Sequence, residues 1–388
     1  MLKRHKLFGG LLAATLIGGL MSSAMAQTAK LRMGVLLPVS GPLSFVGVTM
    51  KESLDLVVEQ FNAKGGMSGH QIEVVFYDTE SNTTLVGQQF RRLVESDKVD
   101  IVVGPTVTGE SLVARGVANE LKVPVVPFAG TEAVINPTSP YLFAFVPSDR
   151  QVAQAMLQLA KAQGLKSVAF LHSADGFGQT GLKVMKELTA EMGIGLAAVE
   201  EFGPRDADMT PQVMRIRASS AEGMFVWGVN PGPTIIMKNA KAVGFNKPIM
   251  NSYGVASQLF IKQTGEAGEG TYVAGTAIMG ALQMNADDPI RKATEPFIAA
   301  FEKRYNKPVA AFNGYVFDAI NLVDQAIKKT GGKIDRESLA KAFRDGGLEY
   351  TGANGKLRFP GNSSTAQSPN NGAIVMLKIN KGAFELVR

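Results

Sequence analysis

Small and hydroxylated residues follow three successive apolar runs in the first third of the chain. Val103-Gly104-Pro105 leads to Thr106, Thr108 and Gly109 ahead of a segment of helical period, and Val123 to Phe128 gives way to Ala129, Gly130 and Thr131. An earlier run ends in Pro38-Val39-Ser40-Gly41-Pro42. Hydroxyls beside a helix N-terminus, where the first backbone N–H groups lack intrahelical partners, make a seat for a carboxylate. Any one of these loops also reads as an ordinary turn, with Thr108 a plain helix cap. What points to a site is the repetition of one chemistry at three strand ends.

Signals for catalysis are thin. Gly176-Phe177-Gly178-Gln179-Thr180-Gly181 spells a dinucleotide fingerprint with Glu200 downstream, but Ser173-Ala174-Asp175 separate it from the strand off which the first glycine should turn. No cofactor is expected. Only His70 and His172 follow residue 26, neither beside a nucleophile in sequence, and no H-E-x-x-H or G-x-S-x-G occurs. The reading is a protein that is not an enzyme. The 17 methionines are dispersed, as core filling rather than a metal stripe. Trp227, in a loop-facing strand end Trp227-Gly228-Val229-Asn230-Pro231, is placed equally as an aromatic wall or as core.

The elements that must carry these loops alternate. Short β-branched runs (Leu31–Leu37, Ile72–Tyr77, Asp100–Gly104, Val123–Phe128) are separated by helical periods over Lys51–Lys64, Thr84–Ser96 and Ser111–Leu121. That order predicts a parallel sheet covered by helices. Past Tyr141–Val146 the plan restarts, with strands predicted at Ser167–Leu171, Gly195–Glu200, Met224–Gly228 and Pro248–Asn251 and helices between them. After Gly275 come helices over Arg291–Tyr305, Ala310–Lys329 and Arg336–Arg344, then strands over Lys356–Phe359 and Ala373–Ile379. The expected fold class is α/β in two lobes, with sheets of similar size and a cleft between them. Ligands of open parallel sheets bind beyond the carboxyl ends of the strands, which is where the hydroxylated loops fall.

Lys3, Arg4 and Lys6 precede the apolar run Leu7–Leu20, which ends at Ala24-Met25-Ala26. This is the pattern of a secretory leader, too short and glycine-rich to span a bilayer. Cleavage before Gln27 removes three positive charges, so the net charge of +6 falls to +3. With no basic run beyond residue 6, no nucleic-acid partner is expected. The chain has no cysteine, which excludes disulfides and thiolate chemistry. The expected compartment lies outside the cytoplasm.

Several stretches, in order, resemble the periplasmic leucine/isoleucine/valine-binding proteins. They are Gly34-Val35-Leu36-Leu37-Pro38 with Ser40-Gly41-Pro42, Asn62-Ala63-Lys64-Gly65-Gly66, Tyr77-Asp78, Asp97-Lys98-Val99 before Val103-Gly104-Pro105, Asp175-Gly176-Phe177-Gly178, and Tyr315-Val316-Phe317-Asp318-Ala319. The resemblance spans nearly all of residues 27–388. It implies a type I periplasmic binding fold crossed three times between lobes, near Phe145, Gly275 and Gly352 to Gly355. Lobe 1 would hold residues 27–145 and 276–353, and lobe 2 residues 146–275 and 354–388. It implies a monomer that closes on a small-molecule carboxylate and meets the membrane subunits of an ABC transporter; a ligand sensor working with a receptor would share every residue. By position, Thr108, Ala129, Gly130 and Thr131 would hold the carboxylate, and Phe177 would form an aromatic lid. Tyr253 stands where branched-chain binders place an acid against the ligand ammonium, Val46 (beside Phe45) where an aromatic is common, and Asn230 where a tyrosine is common. Burying an ammonium without a counter-charge is costly, so the expected ligand is a small carboxylate of the branched-chain amino acid or aromatic acid type, with the balance moved from an α-amino acid toward a carboxylate without an amine.

Overall fold

The computed structural model describes residues 29–363, 365–366 and 374–387; the leader reading lies outside them. The first series is β1 (Leu31–Leu37), α1 (Ser44–Ala63), β2 (Ile72–Asp78), α2 (Thr83–Glu95), β3 (Ile101–Val103), α3 (Thr108–Leu121), β4 (Val125–Val126) and α4 (Glu132–Ile135). The second is α5 (Asp149–Ala162), β5 (Ser167–Ser173), α6 (Gly176–Met192), β6 (Gly195–Phe202), α7 (Thr210–Ala218), β7 (Gly223–Trp227), α8 (Gly232–Ala242), β8 (Ile249–Asn251), α9 (Gln258–Thr264) and β9 (Tyr272–Thr276). The rest is α10 (Pro289–Tyr305), α11 (Ala311–Lys329), α12 (Arg336–Arg344), β10 (Leu348–Gly352), β11 (Gly355–Phe359), β12 (Ile374–Asn380) and β13 (Ala383–Leu386).

The β-branched runs behave as strands buried on both faces. β1 to β4 form a four-stranded parallel sheet in the order β2-β1-β3-β4, with β1, β3 and β4 almost wholly buried. The second sheet has seven strands, β13-β12-β9-β8-β7-β5-β6, parallel from β9 to β6 and antiparallel at its β12 and β13 edge. The sheets are therefore unequal, not similar in size. β9 and β13 escaped the periodicity reading because one straddles the apparent reset at Gly275 and the other has only four residues.

Helix starts follow their caps. The Asn82 side chain accepts from Thr84 N–H, Ser148 and Gln151 cap each other's backbone at α5, and Asp175 accepts from Gly178 N–H at α6. α1 begins at Ser44, well ahead of the expected Lys51. Gly47 permits this, since a Cβ there would meet the Pro38 carbonyl oxygen at 2.1 Å. The segment 141–146 contributes isolated parallel bridges, Val125 with Leu142 and Ala144 with Thr365, rather than a regular strand.

Gly352 to Gly355 form a hairpin turn. β10 and β11 pair antiparallel with Gly352 opposite Gly355, and Phe359 packs edge-on to Phe343 of α12. The order of the two sheets places the carboxyl ends of β1, β3 and β4 side by side, facing those of β5, β7 and β8.

Candidate functional site

The facing strand ends enclose a cavity of about 370 Å³. Its first wall is the β3–α3 loop. Val107 occupies the N-cap position and makes no side-chain cap, so Thr108 is the first helical residue rather than the cap. Thr108 is 5% exposed, lines the cavity, and has no hydrogen bond from its hydroxyl among the described residues. The α3 N-terminus therefore offers free N–H groups and a free hydroxyl together. Behind it Glu110 is buried, its Oε1 accepting from the Thr79 hydroxyl at 2.9 Å, and burial raises its carboxyl above the ordinary range.

The second wall follows β4. Ala129 and Thr131 line the cavity, and the Thr131 hydroxyl, in a residue 1% exposed, has no partner among the described residues. Gly130 does not line it. It holds the loop close instead, since a Cβ there would meet the Val146 carbonyl oxygen at 2.6 Å. From α1 Val46 lines the cavity, whereas Phe45 turns to an edge-on contact with Phe312 at 6.5 Å between ring centres.

The opposite wall comes from α6 and the loops after β7 and β8. Phe177 and Tyr253 line the cavity and meet edge-on at 5.4 Å. Trp227 is 0% exposed and packs behind them, 5.4 Å from Phe177 and 6.4 Å from Tyr253, so it supports the wall without forming it. Asn230 is likewise withdrawn: it accepts from the Thr234 hydroxyl at 2.9 Å and donates to Gln263 at 3.2 Å, leaving Val229 to line the cavity. Burial holds the Tyr253 hydroxyl well above its ordinary pKa.

The α3 and α6 N-termini meet across the cleft, where a Cβ on Gly176 would stand 3.4 Å from Thr108 Cγ2. The glycine fingerprint is thereby explained by packing. A Cβ on Gly178 would fall 1.8 Å from the Ser173 carbonyl oxygen and one on Gly181 would fall 2.4 Å from Trp227 Nε1. The α6 N-terminus also carries its own carboxylate, Asp175, in the place a pyrophosphate would need.

Phe312 and Tyr315 of α11, with Thr83 at the start of α2, line the cavity and were not singled out from sequence. Their spacing on an apolar helix reads as core; only the crossing of α11 over α1 brings the pair to the cavity. Tyr315 is fully buried with its hydroxyl unpartnered among the described residues. Among the described residues no Lys, Arg or His lines the cavity, and the one acid that does, Asp175, is already engaged by Gly178 N–H and the Ser173 hydroxyl. His172 is buried against the Ser173 carbonyl and Phe170, and no group of three metal-ligating side chains occurs among the described residues. The arrangement is an apolar chamber with hydroxyls and helix-terminal N–H groups: chemistry for holding an anion, with no nucleophile–base pair lining it.

Comparison with known proteins agrees with this architecture. The leucine-, isoleucine-, valine-, threonine- and alanine-binding protein of Pseudomonas aeruginosa is 24% identical over 86% of this chain and 87% of its own length. An extracellular ligand-binding receptor from Rhodopseudomonas palustris HaA2 superposes with a TM-score of 0.84 at 24% identity, covering 92% of this chain and 99% of that one. A solute-binding protein of an ABC transporter from Rhodopseudomonas palustris BisB5, solved with 3,4-dihydroxy benzoic acid, superposes with a TM-score of 0.80 at 22% identity, covering 92% of this chain and 96% of the other. These likenesses establish the two-lobe type I fold. The family described as periplasmic binding protein matches residues 30–383, and the chain belongs to that family, whose members bind solutes and are not enzymes.

Proposed function

We propose that this protein is the exported solute-binding component of an ABC importer and that it captures a small carboxylate with an apolar, branched or aromatic body. One observation carries the reading. The hydroxyls of Thr108 and Thr131 and the α3 N-terminus stand unengaged in a chamber lined mainly by aromatic and aliphatic side chains, with no free acid among the lining residues to pair an ammonium. In this reading Ala129 adds backbone groups beside Thr131, Phe177 and Tyr253 form the lid, and Val46 and Phe312 form the floor. The relatives that bind branched-chain amino acids and an aromatic acid bracket the chemical range.

The lobes divide near Val146, near Thr276 and, because β10 and β11 form one hairpin, beyond Phe359 rather than at Gly352 to Gly355. Export is proposed from residues 1–26, and N-terminal sequencing of the periplasmic protein should begin at Gln27. The function is tested by thermal unfolding against branched-chain amino acids, amides and aromatic acids, followed by calorimetry and reconstitution with the transporter's membrane subunits. A ligand at a hundred times its Kd stabilises by about 2.7 kcal/mol. Preference for small hydrophilic acids over branched or aromatic ones would overturn the assignment of the walls.

A further inference from the structure

Asp149 opens α5 directly behind the loop that carries Thr131. It is 0% exposed, and neither carboxyl oxygen has a hydrogen-bond partner among the described residues. An unpaired buried carboxylate is costly, so such a group is neutral or has a partner brought to it. Its surroundings come from both sides of the cleft. The Thr180 hydroxyl of α6 and the Glu132 backbone N–H of α4 act on it without making a hydrogen bond to it, Thr180 donating within its own helix to the Gly176 and Phe177 carbonyls at 3.0 and 3.1 Å. Tyr253 of the cavity wall lies within its field, and Tyr315 of α11 lies within that of Tyr253.

Among the described residues no cation balances it. Arg150, next along α5, turns outward to Glu187 and Glu191, and the other charge that Asp149 feels is the carboxylate of Glu132. Burial, reinforced by Glu132, pushes the Asp149 carboxyl up to about 7.

We propose that Asp149 couples ligand capture to the uptake of one proton, so that the cavity takes a carboxylate without a cationic group most tightly in mildly acidic medium. This rests on the reading of the cavity as a seat for such a carboxylate. With the lobes apart, Asp149 faces water and titrates near its ordinary value of about 4. Closure removes the water and raises that value, which means closure is favoured at low pH and loses the advantage as pH rises through about 7. Between roughly pH 5 and 7 affinity falls about tenfold per unit and then levels off. Above that window an ionised Asp149 also repels the carboxylate of the ligand.

Calorimetry with benzoate, in two buffers of different ionisation enthalpy, reads the proton directly. At about pH 5.5 the wild-type protein should take up close to one proton per benzoate and at about pH 8.5 none, while Asp149→Asn, nearly isosteric, should take up none at either pH and bind with pH-independent affinity. Equal heats in both buffers at the lower pH overturn the proposal.

A second measurement needs no ligand. A Cβ on Gly176 would lie 3.8 Å from Thr108 Cβ, a disulfide spacing, and the chain has no other cysteine, so Thr108→Cys with Gly176→Cys locks the cleft shut. Burial also pushes Asp318 up to about 7, so the locked protein should show protonated-carboxyl infrared stretches that fade toward pH 8.5, and one component of them should be missing when Asp149→Asn is added. The absence of that component at low pH overturns the proposal. Its presence, together with a wild-type protein that binds no benzoate, supports Asp149 as the proton site and places the failure in the ligand reading.

Discussion

At the scale of single residues, the structure separates groups that hold the site from groups that could hold the ligand. Thr108 caps nothing, and its hydroxyl is free for a ligand. A hydrogen bond to a charged group contributes about 1.5–3 kcal/mol, so Thr108→Ala should weaken carboxylate binding by about tenfold to a hundredfold in calorimetry. The thermal midpoint of the ligand-free protein should stay unchanged, because no cap is lost. Thr131→Ala should follow the same pattern, since its buried hydroxyl has no partner to lose among the described residues. Gly181 behaves oppositely. A methyl there would press on the Trp227 indole, which backs both Phe177 and Tyr253. Gly181→Ala should destabilise the fold by about 1–3 kcal/mol through overpacking and lower affinity by tilting the lid. A chain that tolerates this substitution without either effect would refute the packing account of the glycine pattern.

At the scale of elements, the β10–β11 hairpin shows how one side chain fixes the path of the chain. Asp318 of α11 is fully buried, and its carboxylate accepts from Ala353 N–H at 2.8 Å and from Asn354 N–H and Nδ2 at 2.7 Å each. The turn is held so closely that a Cβ on Gly352 would meet Asp318 Oδ1 at 2.1 Å. Asp318→Ala would leave these donors buried without an acceptor. Each such loss costs about 1–3 kcal/mol, so chemical denaturation should report a loss of several kcal/mol, with hydrogen exchange rising first at Ala353 and Asn354. The sequence shows Asp318 inside an apolar helical run; that it meets a turn 35 residues later is a tertiary fact.

At the scale of the whole molecule, function depends on two sheets presenting their carboxyl ends to one another. The cavity walls come from the segments that follow β1, β2, β3, β4, β5, β7 and β8 plus α11, so affinity should track apolar ligand surface, at about 0.8 kcal/mol for each buried methylene. A homologous series of straight and branched carboxylates measured by calorimetry should rise roughly fourfold per methylene until the chamber of about 370 Å³ is filled, then fall. Unchanged affinity along the series would mean that the aromatic walls do not contact the ligand.

The alternation of β-branched runs and amphipathic segments was sufficient by itself for the α/β class, for the first sheet, and for Leu31–Leu37 and Arg336–Arg344 at their observed bounds, because burial on both faces of a parallel sheet and on one face of a helix leaves periods in the residues themselves. Those periods also pointed to Thr108, Ala129 and Thr131, since a strand end names its own loop, whereas Phe177, Tyr253 and Val46 were named by the family resemblance; all six line the cavity. Side-chain direction within those loops was not encoded in that way. Phe45 and Val46 are adjacent, yet helical rotation sends one to Phe312 and the other to the cavity; Trp227 and Asn230 lie on the right loop but turn inward to indole packing and to Gln263. Phe312 and Tyr315 belong to the site only because helices distant in sequence cross there, and local periodicity holds no record of which elements meet.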